Sequence, residues 1–246
     1  MCRTAPASAQ ETRAFEDNMG YFITGTDTGV GKTLISCALL YAFAAQGQRV
    51  VGMKPVAVGS DDDGHNQDVK QLQTASNVLV SYGQINPYSF INSIAPHIAA
   101  QNAGVSIDFA RILTSYHELA SQADVVIIEG AGGLRVPLNN NQDTADLALQ
   151  LGLPVILVVG MRLGCLNHAL LTVSVLEACG LKCAGWVANV LDPDMLALQD
   201  NIIALQQRLA APLLGVIPWQ PQPDARRVGL QLKLELLEKH NGSVES

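Results

Sequence analysis

Charged side chains are scarce in this sequence, at 15% of 246 residues, and their balance is acidic: 15 Lys and Arg against 22 Asp and Glu, a net charge of −7. With no basic stripe to meet phosphate, the composition argues against nucleic acid as a main partner and against an anionic membrane surface. No apolar run approaches the ~18 residues needed to cross a bilayer. The first nineteen residues, MCRTAPASAQETRAFEDNM, hold acids and no hydrophobic stretch, which argues against a secretory signal. They read as a disordered extension over 1–19, with Met19 as a candidate functional start. The five cysteines (2, 37, 165, 179 and 183) are odd in number and form no C-x-x-C pair. A reduced, cytoplasmic protein is the simplest expectation. The five histidines show no metal-ligand spacing. His65, His117 and His240 read as surface residues, while His97 and His168, in polar turns, stay open.

What the sequence has in quantity is apolar residues, 48% of the total, enough for a large buried core. The chain is organised around Tyr21 to Ser36, YFITGTDTGVGKTLIS. A short apolar run meets a glycine- and threonine-rich turn that ends in Gly31-Lys32-Thr33, and an apolar helical series follows. Strand, loop, Gly-Lys-Thr and helix is the arrangement of a phosphate-binding loop. Glycines let backbone N–H groups turn inward around phosphate oxygens, and the helix start adds its positive dipole. Lys32 then neutralises the outer phosphates, and the Thr33 hydroxyl suits a magnesium ion. Thr26 stands where the usual pattern has its first glycine, and Gly25 is one residue too early. The bland alternative is a glycine-rich turn without a ligand. The Gly-Lys-Thr setting favours a nucleotide.

The remainder alternates strand and helix. A helix is expected from about Thr33 to Gln46, then a strand Val50–Met53 ending at Lys54-Pro55. A helix follows from Asp68 to about Ser81, and residues 83–105 look irregular. Ser106 is a candidate cap for a helix to about Gln122. VVIIE (125–129) and VILVVG (155–160) read as fully buried parallel strands. Helices are expected near 143–151, 166–179, 194–210 and 225–240, with strands WVANV (186–190) and LLGVIP (213–218). The expectation is one doubly wound α/β domain over 20–240, a mostly parallel sheet with helices on both faces, and a short tail at 241–246.

In such a sheet, ligands gather outside the carboxyl ends of the strands. Those ends carry Thr26 to Thr33, Lys54, Glu129 with Gly-Ala-Gly-Gly, Asn189, and Pro218-Trp219. Glu129 suits a carboxylate that coordinates the nucleotide's magnesium, against the plain reading of a solvated acid. Lys54 is either a surface lysine or a functional cation beside the phosphate loop. Asp68 is either a helix N-cap or a metal ligand.

GTDTGVGKT, KPVAVG, Asn66-x-Asp68, NPYSF, APHIA, VIIEGAGG, PVILVVG, LGCLNHALLT, GWVAN and LLGVIPW occur in this order. Together they resemble the dethiobiotin synthetases over about residues 20 to 220, and the longer glycine spacing is a feature of that family. The resemblance implies a P-loop NTPase fold and a homodimeric enzyme that uses ATP and Mg2+. It closes 7,8-diaminononanoate and carbon dioxide (or bicarbonate) into a cyclic urea through a phosphorylated carbamate. By the same resemblance, Gly29, Val30, Gly31, Lys32, Thr33 and Leu34 would cradle the phosphates, with Gly130, Ala131 and Gly132 beside them. Asn189, Val190, Pro218, Trp219 and Gln220 would receive the adenine. Thr33, Asp68 and Glu129 would hold the magnesium. Lys32 and Lys54 would act on the γ-phosphate and the carbamate. Thr28, Lys54 and Val58 would face the substrate, and Gly164, Cys165, Leu166 and Asn167 would take its carboxylate across the dimer interface.

Four positions depart from the pattern: Gly29 where some members carry an acid, Val58 in place of a serine, Leu134 where a tryptophan occurs, and Val190 where an aspartate is often found. The competing reading is a partition-type regulatory ATPase acting as a dimer switch. Its usual K-G-G-x-G-K-T lysine is missing from Gly25-Thr26-Asp27-Thr28.

Overall fold

The computed structural model describes residues 19–238. The expected extension up to residue 18 and the tail at 241–246 lie outside the described residues, as do Cys2 and His240. Met19 belongs to the first strand, not to the extension.

Strand β1 (Met19–Gly25) leads into α1 (Lys32–Ala45), β2 (Val50–Met53) and β3 (Val56–Val58). Next come α2 (Gln67–Ala75), α3 (Tyr82–Ile85), β4 (Tyr88–Phe90), α4 (Pro96–Asn102), α5 (Phe109–Ala120) and β5 (Val125–Glu129). Then follow α6 (Thr144–Leu151), β6 (Val155–Met161), α7 (Cys165–Ala178), β7 (Cys183–Val190), α8 (Leu198–Gln206) and β8 (Leu213–Ile217). Two short helices, α9 (Ala225–Gly229) and α10 (Glu235–Glu238), close the described chain.

Six strands form one parallel sheet in the order β2-β5-β1-β6-β7-β8. Alternation along β1 divides the core. Tyr21 and Ile23 face α1, packing with Ile35, Leu39 and Phe43, while Phe22 faces the opposite layer with Ile112 and Leu119 of α5 and Leu147 of α6. Strands buried on both faces need apolar residues at every position, which is why β5 and β6 read as unbroken apolar runs. A third cluster packs α7 and α8 on Leu157, Val159 and Trp186. The architecture is the doubly wound α/β sheet that the alternation predicts.

Register decides where the functional ends fall. Ile23 pairs with Glu129, Met53 with Ile128, and Gly25 with Val158. The loop after β1, Lys54 after β2 and Glu129 at the end of β5 therefore leave the sheet along one edge.

Local departures from expectation have local causes. Helix α2 stops at Ala75, well short of Ser81, because Ser76 and Asn77 turn to the outer edge of β2. There the Gly52 N–H donates to Ser76 Oγ at 2.9 Å and the Val50 N–H to Asn77 Oδ1 at 2.7 Å. An edge strand otherwise leaves those donors unpaired. The segment 83–105, expected to be irregular, contains β4, which pairs in parallel with β3 as a second small sheet, and also α4. Helix α5 is capped by Asp108, which accepts from the Ala110 N–H, and not by Ser106. Helix α8 is shorter than expected, and the closing helix breaks in two. Between its halves the Lys233 N–H donates to the Leu214 carbonyl of β8.

Helix α9 seats against α1 through a glycine: a Cβ on Gly229 would stand 2.8 Å from the Ala38 carbonyl oxygen. Gly229→Val is expected to destabilise the protein by about 1–3 kcal/mol through overpacking against backbone that cannot yield. Denaturant unfolding at constant m-value checks this, and an unchanged midpoint refutes it.

Candidate active site

The loop from Thr26 to Gly31 turns on two glycines in the left-handed region, Gly29 at φ 74° and Gly31 at φ 90°. Gly31 is the N-cap of α1, and no side chain caps that helix. Its first-turn N–H groups therefore face the loop's concave side, as an anion site requires. The loop is tied to the sheet at several points. The Thr26 N–H donates to the Val158 carbonyl at 3.0 Å, and its hydroxyl accepts from the Gly160 N–H at 3.3 Å. That contact gives the residue in the place of the usual glycine a use. Asp27 pairs with Arg162 at 2.5 Å. Asn189 donates from Nδ2 to the Val30 carbonyl at 2.9 Å, and a Cβ on Gly31 would run into the same amide.

Lys32 lies across its own loop, donating from Nζ to the Asp27 carbonyl at 3.0 Å. Burial, reinforced by the nearby Lys54 charge, lowers its pKa to about 8. Lys54 is buried with 6% exposure, so the surface reading is wrong. Its backbone is pinned on both sides: the N–H donates to the Ile85 carbonyl, and the carbonyl accepts from Asn86 Nδ2. Its Nζ lies 2.5 Å from Glu129 Oε1 and 3.1 Å from Asp68 Oδ2. Burial alone would depress this lysine, but the Glu129 and Asp68 charges outweigh it and hold the pKa above the ordinary lysine value. For Asp68, burial pushes upward, yet Lys54 keeps the carboxyl below its usual range.

Asp68 owes its freedom to Asn66, which takes the N-cap role by accepting from the Asp68 and Val69 N–H groups. The cap reading of Asp68 is thereby corrected, and its carboxylate turns to the site. Glu129 is 1% exposed, so it is not a solvated acid. The Thr33 hydroxyl donates to its Oε1 at 3.0 Å, while Oε2 is buried without a partner.

These groups border a cavity of about 660 Å3. Thr28, Gly29, Gly31, Lys32, Thr33, Lys54, Val58, Asp68, Glu129, Ala131 and Gly132 line it, so most of the expected phosphate, metal and substrate residues converge. Others stand apart from it. Val30 is buried beneath the loop, close to Gly160, and Leu34 packs into the core. Gly130 packs on Phe22, and Asn189 and Val190 are buried at the end of β7. Pro218, Trp219 and Gln220 follow β8, with Trp219 largely exposed. Gly164 to Asn167 open α7 away from this cavity, with Cys165 buried and Gly164 and Asn167 exposed. Sequence reasoning missed Val56, Ser93, Ile94, Ala95, Pro96 and Val136, which complete the cavity's wall. Pro96 at the first position of α4 was the one local signal for that wall. Of the open histidines, His97 lies in α4 and His168 is exposed on α7.

Residues 19–227 match a family model described as an AAA domain. The ATP-dependent dethiobiotin synthetase of Nitrosospira multiformis is 56% identical over 207 residues, covering 84% of this chain and 91% of that protein. Its counterpart from Aromatoleum aromaticum is 52% identical over 217 residues, covering 87% and 96%. The chain belongs to the dethiobiotin synthetase family. Solved structures extend the likeness of fold only. MinD of Aquifex aeolicus, in its complex with MinC, superposes with a TM-score of 0.54 at 15% identity, covering 93% of this chain and 98% of that one. MinD of Pyrococcus horikoshii with Mg-ADP gives 0.52 at 18%, covering 92% and 96%. Among the described residues of this synthetase-family chain, no helix is long and apolar enough to cross a membrane.

The lowered Lys32 pKa has a signed consequence. A phosphate beside Lys32 favours its ammonium form, so binding above pH 8 must take up a proton. Nucleotide affinity is expected to be flat below about pH 8 and to fall by up to about tenfold per pH unit above it. Calorimetry at pH 8.5 in buffers of different ionisation enthalpy measures the uptake; zero uptake contradicts the assignment.

Proposed function

We propose that this chain joins 7,8-diaminononanoate and carbon dioxide into dethiobiotin at the expense of ATP, releasing ADP and phosphate. The observation that carries this reading is Lys54, buried beside the end of the phosphate loop, where its nitrogen and the Thr33 hydroxyl meet the same Glu129 oxygen, and lining one cavity with Lys32. A carbamate that attacks a phosphate brings its own negative charge, and a second cation beside the phosphate lysine would offset it. One amine of the diamine adds to carbon dioxide, forming a C–N bond and losing a proton. The carbamate oxygen displaces ADP from the γ-phosphorus, and the second amine attacks the resulting carbonyl and expels phosphate. Lys32 and Lys54 stabilise the negative charge that gathers between nucleotide and carbamate. Val56, Val58, Ile94 and Val136 give the cavity an apolar side suited to the diamine's methylene chain.

Thr33, Asp68 and Glu129 would hold a magnesium ion. Among the described residues there is no cluster of three or more His, Cys, Asp and Glu. Two carboxylates and a hydroxyl suit a hard ion that takes its remaining ligands from water and phosphate, and the unpartnered Glu129 Oε2 is an available donor. When bound, the ion would neutralise the phosphate oxygens.

We read the protein as a cytoplasmic homodimer. The start of α7, Gly164 to Asn167, stands away from its own chain's cavity, and the adjoining Leu163 is 99% exposed. That placement suits a carboxylate site supplied to a second copy. Asn189, Val190 and Pro218 to Gln220 would border the adenine.

The test is phosphate release with ATP and magnesium, with and without the diamine and bicarbonate, followed by mass analysis of the product. Diamine-dependent release with a cyclic-urea product is expected. Hydrolysis indifferent to the diamine would instead indicate a switch ATPase. Lys32→Ala and Glu129→Ala should each lower turnover by at least about a hundredfold with the fold retained by circular dichroism. A residual activity above a tenth of the parent would remove either residue from the machinery.

A further inference from the structure

The two carboxylates of the site meet one nitrogen. Lys54 Nζ touches both Glu129 Oε1 and Asp68 Oδ2, and Glu129 Oε1 also takes the Thr33 hydroxyl. A carboxylate as buried as Glu129 needs a cation, and Lys54 supplies it. These same oxygens, with the Thr33 hydroxyl, are the donors that suit a divalent ion. An ion that takes Glu129 Oε1 and Asp68 Oδ2 as ligands would need the oxygen faces that the ammonium now fills, and Glu129 Oε2 is the oxygen of that carboxylate which the ammonium leaves open. At those two shared oxygens, ammonium and metal ion are alternatives.

We propose that Lys54 is a place-holder for the divalent cation, occupying the oxygens of Asp68 and Glu129 until the ion displaces its ammonium toward the substrate side of the cavity. This rests on the metal-site reading given under the proposed function. One nitrogen then has two duties in sequence. It first compensates the buried Glu129 and the half-exposed Asp68, which fits the pinning of its backbone by Ile85 and Asn86. After the ion is bound, it becomes the cation available to a carbamate. The charge balance holds throughout, because the incoming ion takes over the compensation of Asp68 and Glu129 as the ammonium leaves. A lysine is fitted to this exchange: its ammonium is a compact point charge on a flexible stem and can leave an anion without breaking a planar two-bond contact.

The experiment measures Mn2+ binding to the protein without nucleotide, following free Mn2+ by electron paramagnetic resonance. Lys54→Met is expected to bind Mn2+ at least about tenfold more tightly than the parent, since the competing ammonium is gone. Lys32→Met removes the same charge from the same cavity, but Lys32 hydrogen-bonds the Asp27 carbonyl and neither carboxylate. It relieves only through-space repulsion and should gain clearly less affinity than Lys54→Met. An unchanged Lys54→Met, or an equal gain in both variants, overturns the proposal. Should Lys54→Met not fold, nitrogen-15 spectra of the parent's lysine ammonium groups decide instead. The Lys54 signal, sheltered by two carboxylates, should lose its protection from exchange as Mg2+ saturates the site, and a signal that is unmoved refutes displacement. Asp68→Asn and Glu129→Gln separate the two readings. If both bind Mn2+ like the parent, the ion sits elsewhere and the metal-site reading fails together with the place-holder. If both lose binding while Lys54→Met matches the parent, only the place-holder fails.

Discussion

The contact between Lys54 and Glu129 is the constraint around which this site is assembled. Glu129 ends a central strand and is closed off from solvent, so its charge has to be met inside the protein. The nitrogen that meets it comes from the end of the neighbouring edge strand, β2, and the hydroxyl from the first turn of α1. Asp68 joins from the first turn of α2. Four elements far apart in sequence are thus joined through polar atoms, and each has its own local reason for being there. β2 is held in register by β5, α1 by the phosphate loop, and α2 by the Asn66 cap. A pairing of this kind adds little net stability, because desolvation of both charges offsets most of their attraction. What it does is fix the ends of β2, β5, α1 and α2 to one another through shared polar atoms.

The phosphate loop is organised by a different principle. Its glycines permit the left-handed turns, but permission does not hold a loop in place. Thr26, Asp27 and Val30 are fastened to the ends of β6 and β7 through Gly160, Arg162 and Asn189. The close fit of Gly31 against the Asn189 amide means that loop and sheet end are shaped to each other. Preorganised N–H groups lose little freedom when an anion arrives, which is the general advantage of a fixed anion site. Asn189 is therefore structurally committed to the loop in addition to the adenine contact proposed for it.

The rest of the cavity's wall is of another character, made by β3, the segment leading into α4, and Val136. It is mainly apolar, with Ser93 as its hydroxyl-bearing member, whereas Lys32, Lys54, Asp68 and Glu129 carry the charge. A cavity with both charged and apolar lining suits a ligand that has both, as the proposed carbamate and methylene-chain contacts require.

The strand-to-helix transition at Gly31-Lys32-Thr33, the buried runs of β5 and β6, and the placement of Lys54 and Glu129 at strand ends were legible in the residues themselves. The reason is physical: a strand buried on both faces must be apolar throughout, so a charged residue directly after it stands out as a residue with another purpose. The family resemblance added an expected role for Asp68, which the residues alone left open, and brought Val58 into view. What only the tertiary structure decided was everything that depends on long-range pairing. The β3–β4 sheet has three residues per strand, too few for a periodic signal, and exists because its two strands find each other across a 30-residue excursion. The early end of α2 depends on β2 lying at an edge with donors to satisfy. The single nitrogen shared by Asp68 and Glu129 is a fact of three dimensions, because charge burial and partner choice are settled only when the sheet's register brings the strand ends together.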